Sequence, residues 1–253
     1  MLNDKPKPVL EHIEELRKRL IYSLLFVLIF SVVCWIYSDQ IIAWLTGPVP
    51  FLDVPPIQLH FTDVTEAFGA KFMISVIGGI IIAFPFLIYH VCMYILPGMK
   101  KNERKAFFAY LPSMILLFIA GAAFAIWPIV PIARKFFVDY GGQNMVPIIT
   151  VSSYIDFVTL LTLGMGIVFL LPVVVMFITS IGFVSPYTLA KGRKGVWLGI
   201  LIAAAAIAPN DGLSMLIIAL PVVILFEISL FLSKIKWRRR QKIESESVKT
   251  PYQ

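Results

Sequence analysis

Two carboxylates are placed where a cation could be received. Glu15 precedes the apolar run Ile21–Tyr37, and Glu103 precedes the apolar run Phe107–Val130. Each stands among bases: Glu15 beside Arg17, Lys18 and Arg19, and Glu103 beside Lys100, Lys101, Arg104 and Lys105. A surface carboxylate can simply neutralise such neighbours. It can also take a guanidinium through two parallel N–H···O bonds, a geometry an ammonium cannot match. The stretch Glu11–Leu20 pairs Glu14 with Lys18 and Glu15 with Arg19 at i,i+4, acid first, which is the favourable order in a helix. Ile13, Leu16 and Leu20 share one face. The stretch therefore reads as an amphipathic helix lying in a membrane interface or running straight into a span. It is either a charged collar that sets topology or a surface on which Glu15 receives a cationic ligand. Spacing leaves open whether Glu15 and Glu103 face one groove.

Two further acids stand out. Glu227 lies well inside an apolar run, where a carboxylate is costly and faces protein or water. It is either a hydrogen-bonded packing acid or a functional group. Asp211 sits in the turn Pro209–Gly212, where an aspartate often serves the turn itself. His12, His60 and His90 have no metal-ligand spacing, and His90 reads as a polar residue snorkelling near a span end. Cys34 and Cys92 each lie in an apolar run and read as small buried residues without a disulfide. No phosphate-binding loop, nucleophile elbow or zinc-protease motif occurs, so neither a cofactor nor an enzymatic role is expected.

The elements that carry these groups are membrane spans. Of 253 residues 59% are hydrophobic, and the mean hydropathy is +0.87, far above a soluble domain. The net charge of +7 comes from bases beside apolar runs, the pattern of topology signals and anionic lipid contact rather than of nucleic-acid binding. With about 17–25 apolar residues needed per span, six segments are predicted: Ile21–Tyr37, Met73–Leu96, Phe107–Val130, Phe157–Ile181, Val196–Ala208 and Leu213–Leu232. The first has no cleavage site after it and is expected to stay as a span. The fifth covers only roughly 20 Å of a core about 30 Å thick. Fifth and sixth form a short hairpin that thins the bilayer, unless the fifth is re-entrant.

Of the 22 Lys and Arg residues, 19 fall on the N-terminal segment, the second-to-third and fourth-to-fifth connections and the tail. Both termini are therefore predicted to be cytoplasmic. Thr46–Pro56 is a proline-rich outer loop. Asp63 with Glu66, and Ser153 with Asp156, look like helix starts, and Ser185-Pro186 opens a short inner helix. Residues 233–253 are basic and polar and are predicted to be a disordered tail. Pro85, Pro112, Pro128, Pro172 and Pro221 predict bent helices and a concave shape. The fold class is thus an all-α membrane protein, a single polytopic domain with six proline-kinked spans around residues 21–232.

The motifs together resemble the TatC family, the multispan receptor subunit of the twin-arginine protein translocase. They are His12–Leu20, Pro48, Asp63–Phe68, Tyr89, Pro97-Gly98, Glu103-Arg104, Ser153-Tyr154, Pro172, Pro209, Asp211 and Phe226-Glu227. They run in order over nearly the whole chain. The resemblance implies that Glu15 and Glu103 bind the paired arginines of a cargo signal peptide, with Leu16, Arg17 and Tyr94 in the same site. It implies Pro48, Phe68, Pro209, Asp211 and Glu227 as translocation or partner contacts. It also implies single-span partner subunits of the TatA/TatB type, an oligomeric assembly in the bacterial cytoplasmic membrane, folded cargo and use of the proton-motive force. The chain departs from the family pattern at Tyr89–Tyr94 and at Leu170, where many members carry a polar residue.

A proton-coupled small-molecule carrier, with Glu227 as the proton site, is the alternative. It lacks the inverted repeats and midplane charges of that class. An intramembrane protease lacks a nucleophile with a base, and an insertase lacks a cation inside a span.

Overall fold

The computed structural model describes residues 9–95, 101–140, 147–207 and 212–249. Among these the chain is helical, with two isolated bridges, Val49 to Val54 and His60 to Thr150, in place of strands. It forms two compact units. One comprises Met1–Pro48, Pro55–Lys100 and Ile148–Thr159, and the other Val49–Val54, Lys101–Pro147 and Leu160–Gln253.

The first unit is built on α1 (Val9–Ile36), α2 (Ser38–Thr46) and α3 (Glu66–Ile95). α1 and α3 run antiparallel: His12 meets Tyr94, Phe26 meets Phe86, and Ser31 meets Gly79. They approach closely because small residues face each other. A Cβ added at Gly79 would lie 2.7 Å from the Ser31 backbone nitrogen, and one at Gly78 would lie 2.8 Å from Cys34 Sγ. Away from α3, Leu20, Leu24, Leu28, Val32 and Ile36 of α1 are exposed, a face suited to lipid. α3 starts at Glu66, seven residues before its apolar run, because a reciprocal cap holds the start. Thr65 N–H donates to Asp63 Oδ1 at 3.1 Å, and Thr62 N–H donates to Glu66 Oε2 at 2.8 Å.

The second unit holds α4 (Lys101–Phe124), a π turn (Ala125–Ile129), α5 (Val130–Tyr140) and, from Leu160 on, the second half of α6 (Val151–Val168). α7 (Leu171–Ser180), α8 (Pro186–Lys191), α9 (Arg193–Ile207) and α10 (Gly212–Lys249) complete it. Pro128 lies in the π turn, and Pro172 opens α7 just after the helix is interrupted at Phe169–Leu170. Pro85, Pro112 and Pro221 lie within unbroken helices. The seam between α4 and α6 is again set by glycine: a Cβ at Gly166 would meet the Phe118 ring at 2.8 Å. α7 ends at Gly182, whose φ of +83° only glycine adopts at little cost, with Phe183 N–H bonding back to Ile178 O.

Among the described residues, five helical stretches are long and apolar enough to cross a membrane: Glu11–Ile36, Glu66–Ile95, Phe107–Tyr140, Val151–Ser180 and Ile218–Arg238. α9, over the predicted fifth segment, has 15 residues, or roughly 22 Å. Three expectations need correction. The second outer helix start belongs to Thr150, whose Oγ1 accepts from Ser153 N–H, so α6 begins at Val151 rather than after Ser153. The last helix is not short: α10 has 38 residues. It also continues through the segment predicted as a disordered tail, as far as Lys249. Lys, Arg, Gln and Glu are strong helix formers and extend a helix already nucleated by its apolar half.

Candidate functional site

His12, Glu15, Arg19, Tyr22, Phe26 and Phe30 recur at spacings of three and four, so they line one stripe of α1. Ring contacts show that this stripe faces α3. His12 stacks on Tyr94 with centroids 4.4 Å apart, Tyr22 stacks on His90 at 6.0 Å, and Phe26 stacks on Phe86 at 4.3 Å. Glu15 and Arg19 fall between the first two stacks. Their side chains are 17% and 21% exposed, whereas Glu14 and Lys18, on the adjoining face, are 64% and 66% exposed.

The two ion pairs of α1 share one spacing and differ in surroundings. Lys18 Nζ lies 3.0 Å from Glu14 Oε1 in solvent, a pair of little energetic weight. Arg19 presents two donors to one oxygen: Nε donates to Glu15 Oε1 at 3.1 Å, and Nη2 donates to the same atom. Partial burial strips competing water from this carboxylate, so a guanidinium gains more there than at Glu14. The arrangement can hold a planar cation against a half-buried carboxylate, as it holds Arg19.

The other predicted residues lie on several elements. Leu16 and Arg17 are exposed on α1, and Tyr94 is half-buried under His12. Glu103 lies in the first turn of α4, and its side chain is outside the described residues, as are Pro209 and Asp211. Pro48 is exposed just after the Gly47 cap of α2. Phe68 is also exposed, with its ring edge-on to Trp35 at 5.5 Å. Glu227 is half-buried on α10 and accepts a hydrogen bond from Trp197 Nε1 of α9 at 3.2 Å.

Sequence reading missed three features. Glu66 spans two helix starts, accepting from Ser152 N–H at 2.8 Å through its second oxygen. Lys236 reaches Tyr110 Oη at 2.7 Å and Ser180 Oγ at 3.2 Å, joining α10 to α4 and α7. A cavity of about 310 Å³, walled by Leu171, Val196, Ile200, Ala204, Ile218 and Val222, opens beside α9 and α10. Only the first left a local signal, an acid in the capping position. The others join residues far apart in the chain.

Residues 11–221 match the family model described as Sec-independent protein translocase protein (TatC). The chain belongs to the TatC family. It is 38% identical over 234 residues to the Sec-independent protein translocase protein TatC of Carboxydothermus hydrogenoformans, covering 92% of this chain and 95% of that one. It is 34% identical to TatC of Aquifex aeolicus, covering 94% and 99%. Two crystal structures of the twin arginine translocase receptor TatC superpose with TM-scores of 0.74 and 0.76. They are 32% and 33% identical and cover 88% of this chain and 98% and 99% of theirs. The chain is thus a multi-pass membrane protein of a protein translocase, a transport component. Membership of TatC disfavours the small-molecule carrier.

Proposed function

We propose that this chain is the receptor subunit of a twin-arginine translocase in a bacterial cytoplasmic membrane. It captures the paired arginines of a signal peptide at its cytoplasmic face, with Glu15 and Glu103 as the two carboxylates. The observation that carries this reading is the contrast between Glu15 and Glu14. Only Glu15 combines shielding from water with an orientation toward α3, and it already holds a guanidinium. The likeness to solved twin arginine translocase receptors supports that chemistry.

Leu16, Arg17 and Tyr94 flank the bound peptide in this reading. The lysine and arginine bias supports both termini inside, and in this reading α9 is a short fifth crossing among six. Single-span partner helices of the TatA/TatB type dock on the bundle, and the apolar cavity beside α9 is a suitable surface. Pro48, Phe68, Pro209, Asp211 and Glu227 serve translocation or partner contact. Folded cargo then moves at the expense of the proton-motive force, in an oligomeric assembly.

Peptide binding to the purified protein in nanodiscs tests the site. Glu15→Gln and Glu103→Gln should each weaken an Arg-Arg signal peptide by roughly tenfold or more, the scale of one charge-assisted hydrogen bond. A Lys-Lys peptide should lose less. Normal Arg-Arg binding by both variants would sink the proposal.

A further inference from the structure

We infer that Arg19 sets the affinity threshold of the Glu15 site: its guanidinium holds the place a cargo guanidinium would take, so cargo binds by displacing it. This rests on the peptide-binding role proposed for Glu15.

The geometry supports displacement over shared use. Arg19 directs both Nε and Nη2 at a single oxygen, Glu15 Oε1, with its own fork. An incoming arginine in fork-to-fork contact bonds both carboxylate oxygens, so it needs Oε1, which Arg19 holds, and the same half-buried space. Both partners are about four-fifths shielded, so the contact is not the solvent-screened kind formed by Glu14 and Lys18. The contact is also local: one turn of α1 separates the groups, so Arg19 remains at high effective concentration whatever the rest of the protein does.

The thermodynamic consequence is definite. A resident competitor lowers the fraction of sites open to ligand, and the apparent Kd rises by the inverse of that fraction for every ligand alike. Arg19 therefore leaves the ratio of Arg-Arg to Lys-Lys affinity unchanged and shifts both downward. Weak, lysine-bearing peptides fall below useful occupancy while a paired-arginine peptide remains above it. Discrimination in use comes from the threshold, and discrimination in ratio comes from the bidentate fit itself.

The test measures Kd for Arg-Arg and Lys-Lys signal peptides on the full-length protein in nanodiscs. The variants are Arg19→Gln, Arg19→Lys, Lys18→Gln and Glu15→Gln. Arg19→Gln should tighten both peptides by one common factor, roughly tenfold, the scale of the charge-assisted bond released. Arg19→Lys should tighten both by a smaller common factor, because a point donor grips Glu15 less firmly. It also keeps the charge should the glutamine variant fold poorly. Lys18→Gln removes the same charge from the exposed pair and should change affinity little. Equal tightening by Lys18→Gln and Arg19→Gln would reduce the effect to general electrostatics and overturn the inference. So would weakened binding in both Arg19 variants, or unequal factors for the two peptides, since Arg19 would then act as a direct contact or as a support for Glu15. Unchanged binding in Glu15→Gln would instead overturn the underlying site assignment, whatever Arg19 does.

Discussion

The hydrogen bond from Trp197 Nε1 to Glu227 asks only for an acceptor. Glu227→Gln keeps a carbonyl oxygen in that position, so the variant should retain its fold and its export of a reporter cargo. Glu227→Ala leaves the indole without this partner and should lower thermal stability by about 1 kcal/mol. Loss of export in a well-folded Glu227→Gln variant would instead require the carboxylate proton. At this scale the sequence was informative wherever the cause is local. Asp63 with Glu66, and Ser185 before Pro186, are legible because a cap involves neighbours only. Glu14 and Glu15 could not be told apart by spacing, since both pair at i,i+4. Their difference is burial, and that depends on Tyr94 and His90, more than seventy residues away in the chain.

α1 and α3 hold each other through two kinds of close approach, and the two predict different rescue behaviour. At Gly79 the nearest obstacle is the Ser31 hydroxyl, with backbone directly behind it, the Ser31 nitrogen at 2.7 Å and its Cα at 2.9 Å. Gly79→Ala should therefore cost about 1–3 kcal/mol, as overpacking does, and trimming Ser31 should not restore it. At Gly78 the obstacle is the Cys34 thiol. Gly78→Ala should also destabilise, but Cys34→Ala should recover most of the loss. Thermal unfolding in detergent across the double-mutant cycle measures that coupling. The apolar runs located these helices, and the Asp63–Glu66 capping signal gave the start of α3, whereas the end of α10 was misplaced. α10 reaches Lys249 because hydrophobicity marks the part in lipid, while helix propensity carries the backbone further.

For the molecule as a whole, the membrane orientation proposed from the lysine and arginine bias can be tested directly. In a Cys34→Ala, Cys92→Ala background, a cysteine replacing exposed Thr188 should react with an impermeant maleimide from the cytoplasmic side. One replacing exposed Gln58 should react from the opposite side. Labelling of both from one side would refute the proposed topology. The helical class and membrane character followed from composition and run length, because both reflect the solvent the chain must meet. α9 shows where that logic thins. Its 15 residues are too few to be recognised as a span by length, and only the charges at Lys191, Arg193 and Lys194 argue for a crossing.

The single-helix character of the Glu15–Arg19 pair has a kinetic consequence. Releasing Glu15 requires a rotamer change in one arginine and no movement of a helix, and such changes near a surface take picoseconds to nanoseconds. Peptide encounter is far slower, so uncovering equilibrates before each arrival. The resident arginine then slows association in proportion to the covered fraction and leaves the dwell time of a captured peptide untouched. In a stopped-flow experiment Arg19→Gln should raise the association rate constant and spare the dissociation rate constant.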